Sequence, residues 1–93
     1  MKDKDPESSV LERMKAEGFE AYRWENRPKA VYPVHDHTYY KLIYCVEGDI
    51  EFTFPAGKRS VHMKTGDKLE IPPHTAHSAV VGLDGVVCVE GHK

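Results

Sequence analysis

No stretch of this chain is long and apolar enough to span a bilayer as a helix, and the opening Met1-Lys2-Asp3-Lys4-Asp5-Pro6-Glu7 lacks the apolar segment of a signal peptide. A soluble cytoplasmic protein with no membrane partner is the expectation. There is no basic block either: 13 Lys and Arg are mixed with 15 Asp and Glu along the sequence, for a formal charge of -2. A surface so balanced does not track a phosphate backbone, which excludes nucleic acid as the expected partner. Cysteine is scarce, and neither Cys45 nor Cys88 sits in a loop or a Cys-x-x-Cys pair. Each lies inside an apolar run, Leu42 to Val46 and Val86 to Val89, and reads as a buried small hydrophobe in a reducing compartment rather than a disulfide half or a thiolate ligand. Both are followed by Val-Glu-Gly, but the flanking segments do not match, so no internal repeat follows.

What remains is a chain of 93 residues, 40% hydrophobic. That suffices for one domain, with a core small enough that closing a barrel or forming a dimer helps stability. Asp5-Pro6-Glu7 reads as a helix start: an acidic cap, proline at the first helical position and a carboxylate near the positive end of the dipole. Val10, Leu11 and Met14 form a narrow apolar stripe, and Gly18 offers a left-handed stop, which predicts a short amphipathic helix over 6–17 that packs on the body of the domain.

Beyond Gly18 the pattern becomes extended. Strands are expected at 19–25, 30–35, 40–46, 49–54, 60–63, 68–71, 76–81 and 86–90, separated by turn-forming clusters such as Glu47-Gly48-Asp49 and Gly82-Leu83-Asp84-Gly85. Ile50, Phe52 and Phe54 alternate with Asp49, Glu51 and Thr53, the pattern of a half-buried antiparallel strand. The expected architecture is all-β, a sandwich or barrel over 19–93, preceded by one helix within 1–18. Trp24 is expected to be a core or interface aromatic rather than a stacking platform.

One stretch carries chemistry. In a strand, alternate side chains share a face, so His35 and His37 point the same way, and Tyr39 and Lys41 join them if the strand continues. Two imidazoles side by side are half of a metal site. Gly48 follows His37 by eleven residues, and further on comes Gly66-Asp67-Lys68-Leu69-Glu70-Ile71-Pro72-Pro73-His74-Thr75-Ala76-His77. Together these segments resemble the two motifs of the cupin superfamily over roughly 31–89. The first motif has the form Gly, five residues, His-x-His, three or four residues, Glu, six residues, Gly; the second has Gly, five residues, Pro-x-Gly, two residues, His, three residues, Asn. His35 and His37 fall on the first motif's ligand histidines, Gly48 on its closing glycine, Gly66 and Pro72 on the second motif's glycine and proline, and His77 on its ligand histidine.

The departures are Lys29 for the opening Gly, His74 for the second motif's inner Gly, Val81 for its Asn and, most consequentially, Lys41 for the ligand Glu. An ammonium has no lone pair to give and repels a cation, so the four-ligand site of the family does not carry over intact.

The resemblance implies a double-stranded β-helix, or jelly roll, holding a divalent transition metal ion (Zn, Ni, Fe or Mn) on His35, His37 and His77, with open positions for water or substrate. His74 is a candidate fourth ligand. Asp36 and Glu70 lie near enough in the chain to orient the imidazoles. Tyr39 is a candidate proton carrier. Lys41 is a candidate base or an anchor for an acid group. His62 and His92 carry no positional argument, and Lys58-Arg59 reads as a solvated turn. Three functions stay open at this point: an enzyme of dioxygenase or isomerase type acting on a small anionic molecule, a non-catalytic small-molecule or anion-binding module with weak or no metal, and a structural piece that dimerises. An open sheet edge in so small a barrel favours a homodimer.

Overall fold

The structure, a computed structural model, describes residues 6–93; the expected cap Asp5 lies outside the described residues. The first element is α1, Pro6–Ala16, with Glu7 in its first turn and Arg13 and Lys15 in its last, each sign placed against the opposite end of the helix dipole. It stops where Gly18 takes a φ of 91°, and the Phe19 amide closes back onto the Met14 carbonyl at 2.9 Å. Met14 is buried, next to Phe19 and to Gly91. A side chain at Gly91 would push into both, so this glycine is what lets the helix sit down on the sheet.

Six strands follow: β1 Glu20–Asn26, β2 Val31–His35, β3 Lys41–Phe54, β4 Arg59–Lys64, β5 Lys68–Ile71 and β6 His77–His92. All pairings are antiparallel. The path runs β1-β6-β3-β4, with β2 added to the first part of β6 and β5 to the first part of β3. This is the all-β jelly-roll architecture with a short N-terminal helix. Ile43, Cys45, Ile50, Met63, Val81 and Cys88 are among the side chains that fill it, and the two cysteines are free and face each other across β3 and β6.

Two expected turns do not reverse the chain. Segments 40–46 and 49–54 merge into β3, and 76–81 and 86–90 merge into β6. Glu47-Gly48-Asp49 and Gly82 to Gly85 are instead irregularities at which the two long strands bend against each other. The register shifts at Cys45/Glu47 and again at Gly48/Ile50, where Gly48 pairs with Val86 but Ile50 with Val81. The physical reason is the contact between Gly48 and Gly85, both at positive φ (75° and 78°). A Cβ on Gly48 would fall on the Gly85 carbonyl oxygen, so this approach of backbone to backbone needs the glycine.

Candidate metal centre

Antiparallel pairing of β2 with the first part of β6 brings the end of β2 to the start of β6. His35 and His77 are Cα partners, and His37 follows two residues beyond β2. One nitrogen from each of His35, His37 and His77 lies within 4.8 Å of the others. Their ring centroids are 4.5 to 5.4 Å apart.

Hydrogen bonding settles which nitrogens face the centre. His35 Nδ1 donates to the Pro33 carbonyl at 2.7 Å and His77 Nδ1 to the Thr75 carbonyl at 2.8 Å. A carbonyl only accepts, so in both rings the proton is on Nδ1 and the Nε2 lone pair is free. For His37, Nε2 faces the Lys41 ammonium at 3.1 Å and Nδ1 faces the Tyr39 hydroxyl at 3.1 Å. An ammonium only donates, which gives His37 the same tautomer. Three Nε2 lone pairs of neutral imidazoles are the donor set a divalent transition metal takes. Ligands at about 2.1 Å from an ion sit about 3 to 3.5 Å from one another, so the triad closes on one with small side-chain rotations. The residues fit such an ion.

Electrostatics favour the neutral form of His37 and His77. Burial first, then the Lys41 charge and the neighbouring rings His35 and His77, push His37 from its ordinary 6.5 down to about 4. Burial lowers His77 as well, against the opposing effect of its bond to the Thr75 carbonyl.

Among the described residues the buried polar or charged side chains are Lys41, His77 and Glu90, and all three line one cavity of about 300 Å³. Glu90, on β6, is the one that the sequence pattern left unmarked. Its Oε2 accepts from Tyr22 at 2.8 Å and from His92 at 2.6 Å, and its Oε1 from the Trp24 indole at 3.0 Å; Lys41 Nζ stands 3.4 Å from Oε2. Burial acts to raise the Glu90 carboxyl, but the His92 bond, the Lys41 charge and the Tyr22 bond outweigh it and hold it below the ordinary carboxylate range. Trp24 packs on the core, meets Tyr32 edge-on at 5.9 Å and lines the cavity with it, as do Phe52 and Ile50.

The remaining candidates sort by position. Tyr39 stacks between His37 at 4.8 Å and His92 at 4.1 Å. His74 is not brought to the triad: its side chain is 69% exposed and its Nδ1 faces Asp36 at 3.9 Å, while its backbone amide donates to the His37 carbonyl. Asp36 is thus turned to His74, and Glu70 to Tyr40; His35 and His77 are oriented by main-chain carbonyls instead, and His37 by Tyr39 and Lys41. His62 pairs with Asp49, at the bend and away from the triad's cavity. A signal for Glu90 and His92 was present in the alternation of β6, where they fall two and four residues after the buried Cys88 and so on the same face.

The sequence profile of the Cupin domain family matches residues 22–89. No curated protein sequence matches the chain. Among solved structures, an RmlC-like cupin from Shewanella frigidimarina NCIMB 400 is 24% identical with a TM-score of 0.70, over 80% of this chain and 64% of that one. The DMSP lyase DddQ from Ruegeria pomeroyi DSS-3 is 19% identical with a TM-score of 0.72, over 78% and 36%. The polyketide cyclase RemF from Streptomyces resistomycificus is 24% identical with a TM-score of 0.69, over 84% and 58%. The chain spans less than two thirds of each of the three, and at these identities the likeness is one of fold.

Proposed function

Because the chain belongs to the cupin family, we propose that it is a small metal-binding cupin in which His35, His37 and His77 hold one divalent transition metal ion (Zn, Ni, Fe or Mn) and serve dioxygenase- or isomerase-type chemistry on a small anionic molecule. The observation that carries this reading is the convergence of three imidazoles, within 4.8 Å, in the lining of the only cavity among those described that is lined by buried charged groups. A bound ion would supply Lewis acidity there.

The chain's own residues supply the rest. The Pro33 and Thr75 carbonyls fix the rings of His35 and His77. The Trp24, Tyr32 and Phe52 side chains line the cavity and exclude water from a bound ligand. The Tyr39 hydroxyl, against His37 Nδ1, is placed to hold a proton at the cavity wall, and the Lys41 ammonium gives the cavity a positive point for an acid group. The anionic ligand is our reading of Lys41, whose ammonium lines the cavity beside Glu90. The enzymatic reading has support from the activities named for the DMSP lyase and the polyketide cyclase, whose fold this chain shares. We assign the protein to the cytoplasm, consistent with its two free cysteines. A homodimer is assigned as well, with Val31, Val34, Val80 and Leu83 exposed for a second copy to cover.

Elemental analysis of purified protein tests the reading: close to one transition-metal ion per chain is expected, and His37→Ala loses it. Metal-free protein that takes up no ion on reconstitution would overturn it.

A further inference from the structure

Lys41 stands on β3 where the resemblance places a ligand carboxylate, and a buried carboxylate, Glu90, stands on the neighbouring strand β6. The ammonium lies between two acceptors, His37 Nε2 at 3.1 Å and Glu90 Oε2 at 3.4 Å. The first is the same lone pair that an ion on the triad needs. One lone pair serves one partner, so metal and ammonium exclude each other there. The second acceptor is held rigidly: Tyr22, Trp24 and His92 all donate to Glu90, from two strands and through both oxygens. Glu90 is therefore a fixed counter-charge rather than a mobile ligand, and it is within reach of Nζ without any backbone movement.

We propose that Lys41 is a built-in competitor for the metal, which yields His37 Nε2 to an ion by retreating onto Glu90, so that the Lys41–Glu90 pair sets the metal affinity of the site. Glu90 is in this scheme a positioning residue, acting through Lys41. Plain repulsion between Lys41 and the ion makes a different prediction, because repulsion and the attraction of Glu90 act independently and their effects add. A retreat couples them. With Glu90 neutralised the ammonium has lost its second seat and clings to His37; with Lys41 removed, the charge on Glu90 has little left to act through.

The inference rests on the metal reading above, and a double-mutant cycle on Zn²⁺ binding separates the two. Zn²⁺ affinity is measured by competition against a chromophoric chelator for the full chain and for Lys41→Met, Glu90→Gln and the double variant, with circular dichroism confirming that each is folded. Lys41→Met, which keeps the stem and removes the charge, is expected to bind at least about tenfold tighter than the unaltered chain, and Glu90→Gln about tenfold weaker. In the Lys41→Met background the Glu90→Gln change is expected to fall below about threefold, a non-additivity typical of residues in direct contact. Should Glu90→Gln fail to fold, Glu90→Asp, which keeps the charge but shortens its reach, replaces it and is held to the same dependence on Lys41. Equal affinity of Lys41→Met and the unaltered chain overturns this inference and leaves the metal reading standing. Glu90 effects of equal size in both backgrounds do the same. Absence of Zn²⁺ binding in every variant overturns both.

Discussion

The interior of this barrel has two regions of opposite character, built from the same two strands. Toward the bend, β3 and β6 contribute Cys45, Val81 and Cys88, joined by Met63 of β4, and this layer is apolar and closed. Toward the open end, the same strands contribute Lys41, His77 and Glu90, and there the interior is hollow and carries buried charge beside apolar and aromatic side chains. The apolar layer is held by packing that any well-shaped hydrophobe supplies. The polar end is held by pairing, in which each buried charge is tolerated only because named partners face it. The difference shows that stability and chemistry in so small a domain are divided along the strand axis, not between strands.

The comparison breaks most sharply at Glu90. Glu90→Ala strips Lys41, Tyr22, Trp24 and His92 of a shared acceptor and leaves a buried ammonium without its counter-charge, so a loss of about 3–5 kcal/mol is expected in denaturant unfolding. Met63→Ala probes the other region: Met63 is wholly buried and does not line the cavity, so a loss of about 2–5 kcal/mol is expected with metal affinity unchanged. A metal affinity that moved with Met63 would show the two regions to be one.

Acid provides a milder test. A histidine kept neutral in the folded state binds fewer protons than its unfolded counterpart between its two pKa values. Stability of the metal-free protein is therefore fullest above about 6.5, the ordinary value for His37, and falls as the pH drops from there toward about 4, after which both states are protonated. Thermal unfolding across this window should show the decline, and His37→Gln should flatten it. The smallest effect is expected at His74, which holds a φ of 60° that a glycine adopts without strain. His74→Gly should stabilise by up to about 1 kcal/mol and leave metal binding as it was, since the ring is directed away from the triad.

Much of this was legible in the residues. The His35-x-His37 pair and the spacing to His77 point to the triad through the motif, although the strand expected to carry both histidines ends at His35 and His37 lies in the segment beyond it. Three things were hidden, each for a physical reason. The turn-like clusters around Gly48 and Gly82 to Gly85 have the residues of chain reversals, but they lie against each other, and only the three-dimensional contact shows that they bend two strands instead. His74 replaces a glycine without changing the left-handed backbone, and so does Lys29, with a φ of 64°; a departure at such a position alters side-chain content and leaves the path of the chain alone. Glu90 was hidden by composition: within Val86-Val87-Cys88-Val89-Glu90 a carboxylate reads as the end of an apolar strand, whereas its donors Tyr22 and Trp24 come from the opposite end of the sequence.

That long reach has a kinetic consequence. Tyr22 meets Glu90 across 68 positions of sequence, and His35 on β2 is the Cα partner of His77 at the start of β6. Contacts of such separation are slow to form and are completed late, once the long strands have zipped past the bend. An ion seated on the triad would then grip structure that the folding transition state has yet to build. It would leave the rate of folding nearly untouched and act as a brake on unfolding.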